Sequence, residues 1–412
     1  MALAAPLGAA QGTVRPTSGR VARLQDLVAE AVRANPGIRA AALRAAALRD
    51  AAPAAGALPD PSVAVGWMGS PAPFVVNNSV TSNRSLAVME TFPFPGKLRL
   101  RRQAARANAA AADWRYRAAV RTVTSELKAA YYSYAFSHQA LAVTRSNRAL
   151  LEQLTRIAEA RYESGKGLQQ DVLRGQVELS RLLGRIDILT ARENMAAARI
   201  NALLNRDASA PLGAPEPLAQ AHLTYTLPQL QRLAAQHDTR LGEVGTLIGR
   251  DQKRVALAHK AYEPDFTVGY EVQHMAVTGM LMAGATVSVN IPLFYRSKQR
   301  PELRAAVADL NAEQASRDDR RAALSDLVRE QYLAAQQAQQ LAVLYARAIV
   351  PQSVQALQSA QMAYQAGTAD FLTLLDDFSG ILDDQVNYDQ QVAAYDTALA
   401  RLEPLVGVEL TQ

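Results

Sequence analysis

The feature that most constrains this chain is that it contains itself twice. ARYESGKGLQQDVL, Ala160 to Leu173, has a partner in MAYQAGTADFLTLL, Met362 to Leu375. The shared frame sets Tyr162 on Tyr364 and Gly165 on Gly367, and runs without a gap until Ala198–Arg199 meets Ala400–Arg401. Upstream, Leu24, Leu27 and Pro61 fall on Leu227, Leu230 and Pro264, and PSVAVGW (Pro61 to Trp67) answers PDFTVGY (Pro264 to Tyr270). TFPFPGK (Thr91 to Lys97) likewise pairs with NIPLFYR (Asn290 to Arg296), and Tyr132 with Tyr332. The spacing stays at about 200 residues, too long for a solenoid repeat, so one large unit is used twice. We divide the chain into an N-terminal extension (1–23), a first repeat (24–206), a linker (207–226), a second repeat (227–408) and a tail (409–412). The linker carries Pro211, Gly213, Pro215 and Pro217, the residues of an irregular connection. The apolar start MALAAPLGAAQGT reads as the remnant of a trimmed leader or an added start and is set aside.

Each repeat opens with a helical pattern, interrupted in the first by Asn35-Pro36. A strand pair follows, over 61–92 in the first repeat and 264–292 in the second, with a turn-rich loop over Pro71 to Asn83. In the second pair Phe266, Val268, Tyr270 and Val272 alternate with Thr267, Gly269, Glu271 and Gln273. Ala283, Ala285, Val287, Val289 and Ile291 alternate with Gly284, Thr286, Ser288 and Asn290. That is the period-2 signature of strands with one apolar and one polar face. Long helical patterns come next, from about Leu98 to Glu163 and from about Glu302 to Gln365, the latter interrupted only by Pro351. A helix of about 65 residues is a rod on the order of 100 Å. Glycines then break the chain at Gly165-Lys166-Gly167 and at Gly367, and a second helix returns each time. Rods of that length must pack as antiparallel hairpins beside other hairpins.

Composition excludes more than it assigns. With no cysteine there is no disulfide, thiolate metal site or cysteine nucleophile. The net charge of +6 comes without any run of five like charges, so nucleic acid is not an expected partner. No stretch of about 18 apolar residues exists, which excludes a helical membrane span but not a β-barrel, whose strands need only about 10 residues each. His138, His222, His237, His259 and His274 lack metal-ligand spacing, and GKG at Gly165 to Gly167 follows no strand, so neither a metal site, a cofactor nor an enzyme is expected. His274 with Met275, Met280 and Met282 forms one soft-ligand cluster, read first as flexible apolar side chains at a rim.

The four amphipathic strands decide between a helical scaffold and a pore. Four strands cannot close a barrel, since known barrels start at about eight, so strands placed in a membrane require several copies. Three copies give twelve strands. Glu90 interrupts the apolar Leu86–Val88–Phe92 face and is placed at the rim, because a carboxylate facing lipid at mid-depth is costly.

The order of helix, Pro-bounded strand pair, long helix, Tyr-x-x-Gly turn and return helix, all repeated, resembles the TolC-like outer-membrane efflux channels of Gram-negative bacteria. The likeness runs from about Leu24 to Gly407. It implies a mainly α fold with a small β part. Tandem helical hairpins would form a trimeric α-barrel across the periplasm, and four strands per chain would build a 12-stranded barrel among outer-membrane lipids. It implies a homotrimer that docks a periplasmic adaptor and an inner-membrane pump. The turns Gly165, Lys166, Gly167, Gly367 and Thr368 would carry the docking, and Glu271, Gln273, Thr286, Ser288 and Asn290 would line the barrel. The segment ETFPFPGKLRLRRQA (Glu90 to Ala104) is similar to members serving heavy-metal pumps of the cobalt–zinc–cadmium and copper types. A drug-efflux or type I secretion channel, or a coiled-coil scaffold without a pore, is the alternative. In the family an aspartate ring and inter-helix polar links close the periplasmic entrance. Asp376 falls on one ring position and Thr373 on the other, Asp171 matches it in the first repeat, and Arg174 is a partner for a neighbouring carboxylate. Asp377, Asp383 and Asp384 read as solvated helix charges.

Overall fold

A computed structural model describes residues 21–68, 83–218, 223–275 and 278–410. The N-terminal extension up to residue 20, His222 and all but the last residue of the loop expected at Pro71 to Asn83 lie outside the described residues.

The helical break near the start of each repeat is built from a cap. In the first repeat α1 (Leu24–Ala34) stops at Asn35, whose Oδ1 accepts the Gly37 and Ile38 amides at 2.9 and 3.2 Å and starts α2 (Pro36–Ala54). The second repeat sets Asp238 between α5 (Leu227–His237) and α6 (Thr239–Lys260), and its carboxylate accepts the Leu241 amide at 2.8 Å. Short side chains with an acceptor oxygen satisfy the orphan amides of a first turn, so one device recurs in both repeats. Strands β1 (Ser62–Met68), β2 (Asn83–Phe92), β3 (Asp265–Met275) and β4 (Met280–Asn290) follow these helices.

Helix α3 runs unbroken over Lys97–Glu163, and α4 returns over Gln169–Leu203. The matching rod of the second repeat starts earlier than expected, at Gln299, and is not one α-helix. It consists of α7 (Gln299–Leu344), a π-helical turn (Tyr345–Ile349) and α8 (Val350–Ala366), before α9 (Phe371–Val406) returns. Pro351 has no amide to donate and its ring crowds the preceding turn, so the helix widens there instead of ending.

The described residues within 21–39, 119–237 and 324–410 form one compact unit, and those within 40–118 and 238–323 form a second. Each repeat contributes to both. The first unit is held by the apolar stripe of α9, where Phe371, Leu374, Leu375, Phe378, Ile381 and Leu382 repeat at helical spacing. They bury against Leu151 and Leu154 of α3, Leu182 and Leu189 of α4, and Leu357 of α8. The linker is fastened to this unit by tyrosine hydroxyls. Tyr131 Oη donates to the Ala22 carbonyl and accepts the Glu216 amide, both at 2.9 Å, while Tyr395 Oη accepts the Leu223 amide at 2.9 Å. Burial raises the pKa of both phenols, which keeps them protonated over the physiological range.

Beside the linker, Asp389 of α9 shares a cavity with His138, Pro215, Glu216 and Tyr388, and burial pushes its carboxyl up to about 6. A raised carboxylate pKa means that stability is greatest where the group is protonated in both states. It declines as pH rises through the interval between the unfolded and folded values. Asp389→Asn is therefore expected to raise the thermal midpoint in detergent at pH 8 by about a few degrees, with little change at pH 4. Equal shifts at the two pH values would remove ionisation as the cause.

The second unit contains the sheet, antiparallel throughout, in the order β1-β2-β3-β4. Its register places most large apolar side chains on one face, with Arg84 and His274 beside Trp67 at the β3–β4 hairpin end. Val63, Val65 and Trp67 share a face with Leu86, Val88, Phe92, Phe266, Val268, Tyr270, Val272, Val287 and Val289. Glu90, paired with Val268, sits on this apolar face one row in from the Phe92–Phe266 pair. At the base of the sheet, buried Lys97 donates to the Asp265 carboxylate at 2.7 Å and to the Glu263 carbonyl at 2.8 Å, and the Phe94 amide also reaches Asp265 at 2.7 Å. Helix α3 is thereby fixed to the start of β3.

Candidate functional site

Two places collect the residues singled out from the sequence: the paired helix turns in the first unit and the polar sheet face in the second.

The turns close in the same way. Gly165 and Gly367 both adopt the left-handed conformation, at φ +71° and +81°, which a residue with a Cβ enters only with strain. The Lys166 amide reaches back to the Arg161 carbonyl and the Thr368 amide to the Ala363 carbonyl, each at 2.9 Å, so the terminal carbonyls of α3 and α8 are satisfied alike. Gly165, Lys166, Gly367 and Thr368 are exposed and Gly167 is partly covered. The following helices differ. Asp370 caps α9, accepting the Thr373 amide at 2.9 Å and its hydroxyl at 2.5 Å, whereas Leu168 offers α4 no side-chain cap. These two bonds hold the Asp370 carboxyl below the usual carboxylate range.

Thr373 is thus engaged in capping. Asp376, one turn further along α9, is exposed and makes no ion pair among the described residues. Of the carboxylates read as solvated charges, Asp383 pairs with Arg185 of α4 at 2.5 Å and Asp384 accepts the Ser353 hydroxyl of α8 at 2.5 Å. Arg174 is exposed, close enough to Asp370 to favour its charged form, and Asp171 contributes to the raised pKa of Tyr364, behind burial itself. The structure does not bring Asp171, Arg174 and Asp376 into one bonded cluster.

The bonded centre of the turns is Arg161, which the sequence pattern did not single out. Its guanidinium donates to the Tyr364 carbonyl, to the Gln365 carbonyl at 3.1 Å and to the Lys166 carbonyl at 3.3 Å. It also lies over the Tyr364 ring, 4.8 Å from the centroid. One cation therefore ties the end of α3 to the end of α8, and favours the negative ends of both helix dipoles. Tyr364, buried beneath it, packs on Phe371 at a ring distance of 5.3 Å.

In the sheet, Glu271, Gln273, Thr286, Ser288 and Asn290 all fall on the face opposite the apolar one, with Ser85, Thr91 and Thr267. The soft-ligand cluster comes apart. Met275, Met280 and Met282 share this polar face, but His274 pairs with Leu281 on the other. Side chains alternate along a strand, so neighbours in sequence part company.

Helical hairpins in two repeats, with a sheet apolar on one face and polar on the other, define a class: channel subunits of the TolC-like plan. The outer membrane efflux protein family matches residues 27–205 and 221–408, and this chain belongs to it. Members of that family are transport ducts and not enzymes. Among solved structures, the outer-membrane channel OprN is 20% identical with a TM-score of 0.80, over 94% of this chain and 91% of its own. The outer membrane protein VceC of Vibrio cholerae is 17% identical with a TM-score of 0.78, over 94% and 96%. CusC, described as forming a transmembrane channel, is 16% identical with a TM-score of 0.81, over 93% and 91%. No curated protein matches the chain by sequence.

Proposed function

We propose that the chain is the outer-membrane component of a tripartite efflux system, a passive export duct that serves heavy-metal cations. The observation that carries this reading is the sheet. It has one face for lipid and one for water, and β1 and β4 are edges that pair on one side only among the described residues. Unpaired strand edges are not tolerated in hydrocarbon, so the edges must be closed by further copies. Three copies make a twelve-stranded barrel, with Glu271, Gln273, Thr286, Ser288 and Asn290 facing its lumen. The exposed turns at Gly165–Gly167 and Gly367–Thr368 meet the periplasmic adaptor and the inner-membrane pump. The ETFPFPGKLRLRRQA segment supports metal cations over organic compounds as cargo. Fractionation to the outer membrane with a detergent-stable trimer tests the assembly; a monomer that stays in solution without detergent counts for a scaffold.

Asp376 has the chemistry of a gate, because three unpaired carboxylates around one axis repel each other and draw cations. In planar bilayers Asp376→Ala is expected to lower the cation-over-anion permeability ratio by about twofold or more and to raise the open fraction. Unchanged selectivity and opening would end the gate assignment.

A further inference from the structure

The strand register distributes methionine in a way that apolarity does not explain. All five strand methionines, Met68, Met89, Met275, Met280 and Met282, lie on the polar face. The opposite face carries Val, Leu, Ala, Phe, Tyr and Trp, with Arg84, Glu90 and His274 among them, and no methionine. Were these side chains there as apolar filler, the lipid-compatible face would hold its share. Met89 has a packing role, since its Cγ lies 3.1 Å from where a side chain on Gly269 would begin. The other four gather at the β3–β4 hairpin end.

Met68, Asn83, Met275 and Met280 form one row across the four strands, and Met282 stands in the next row beside Gln273. Met275 and Met280 are directly paired, which places their Cβ atoms about 4.5–5.5 Å apart, and Met282 is a diagonal neighbour of Met275 at about 7–8 Å, within reach of long side chains. Met68, Met280 and Met282 are 70%, 60% and 52% exposed, so no packed core occupies them. The two rows contain thioethers, an amide from Asn83, an amide from Gln273 and the Ser85 hydroxyl, with no carboxylate and no imidazole. A neutral, polarisable donor set of this kind favours soft cations over hard divalent ones.

We infer that Met275, Met280 and Met282, with Met68 on the same face, form a thioether site for soft monovalent cations of the Cu(I) and Ag(I) type. The inference rests on the duct reading and names the class of cargo. Met68 lies on one sheet edge and Met280 and Met282 on the other, so closure between copies carries the thioethers around the lumen. Weak neighbouring sites let an ion enter and leave by exchange.

The test uses the full chain in detergent, silver nitrate in chloride-free buffer, and equilibrium dialysis with the bound metal quantified. Met275→Leu/Met280→Leu/Met282→Leu conserves volume and apolarity. Met195→Leu/Met362→Leu removes two exposed methionines of α4 and α8 as a control. The wild type and the control are expected to bind Ag(I) alike, and the triple variant to bind about tenfold or more weakly. Equal binding by the triple variant, no binding by the wild type, or an equal loss in the control overturns the site. Planar-bilayer recordings of the same preparations keep the two readings apart. Methionine-dependent binding without a conducting pore defeats the duct and leaves the site; a conducting pore without such binding defeats the site and leaves the duct.

Discussion

Lys128→Ala is expected to destabilise the helical unit by about 3–5 kcal/mol, among the largest effects a single substitution can have in this chain. The Lys128 ammonium lies 2.6 Å from Glu403 Oε2, and the two side chains are only 7% and 8% exposed. The other carboxylate oxygen of Glu403 accepts the Leu410 amide at 2.9 Å, so the same group fastens the chain beyond α9. Truncating the lysine leaves that carboxylate in a low-dielectric interior without its ammonium, which costs far more than the net worth of the pair. Lys128→Met with Glu403→Gln removes both charges, and is expected to recover most of the loss. Thermal and denaturant midpoints in detergent read both. A single-variant loss under about 1 kcal/mol, the range of exposed pairs, would show that water reaches the site.

Asp238→Ala is expected to cost a similar amount, about 3–5 kcal/mol, because one carboxylate has two tasks. It caps α6 through the Leu241 amide, and it receives Arg320 of α7 at 2.7 and 3.2 Å in a two-point contact. The Asp238 side chain is 3% exposed and that of Arg320 14%. Asparagine caps a helix as well as aspartate does, so Asp238→Asn isolates the loss of charge and should fall between wild type and alanine. If the asparagine and alanine variants unfold together, the cap contributes nothing and the ion pair accounts for the whole effect.

The helical break at Asn35-Pro36 was legible in the sequence, as were the glycine turns and the strand alternation, because each is set by a residue type at one local spacing; the cap at Asp238 was not singled out. Asn35 before Pro36 and Gly367 after a helical run need no tertiary context. The π turn at Tyr345–Ile349 was not legible. Pro351 announces a disturbance, but whether the helix ends or widens depends on what packs around it. Tyr162 and Tyr364 occupy the same place in the repeat, yet the first is 46% exposed and the second 3%. Arg161 likewise reads as one basic residue among many until the carbonyls of a helix some 200 residues away arrive beside it. The hydroxyls of Tyr131 and Tyr395 hold a linker that the sequence marks only by its prolines and glycine. Long-range partners of this kind leave no local trace.

The middle of the sheet joins the two repeats, and this orders the making of the protein in time. Thr91 of β2 and Thr267 of β3 share a hydroxyl contact at 3.1 Å across 176 residues of chain. Until β3 has been synthesised, the first repeat owns only a two-stranded ribbon, which is marginal by itself. Closing a loop of that length costs about 4–5 kcal/mol of chain entropy in the simplest polymer estimate, whereas the helices on either side form from local contacts. Helical turns can therefore form ahead of the sheet, although the rods' own core waits for α9. A polypeptide cut short before β3 carries only the β1–β2 ribbon and lacks the strand through which the two repeats pair.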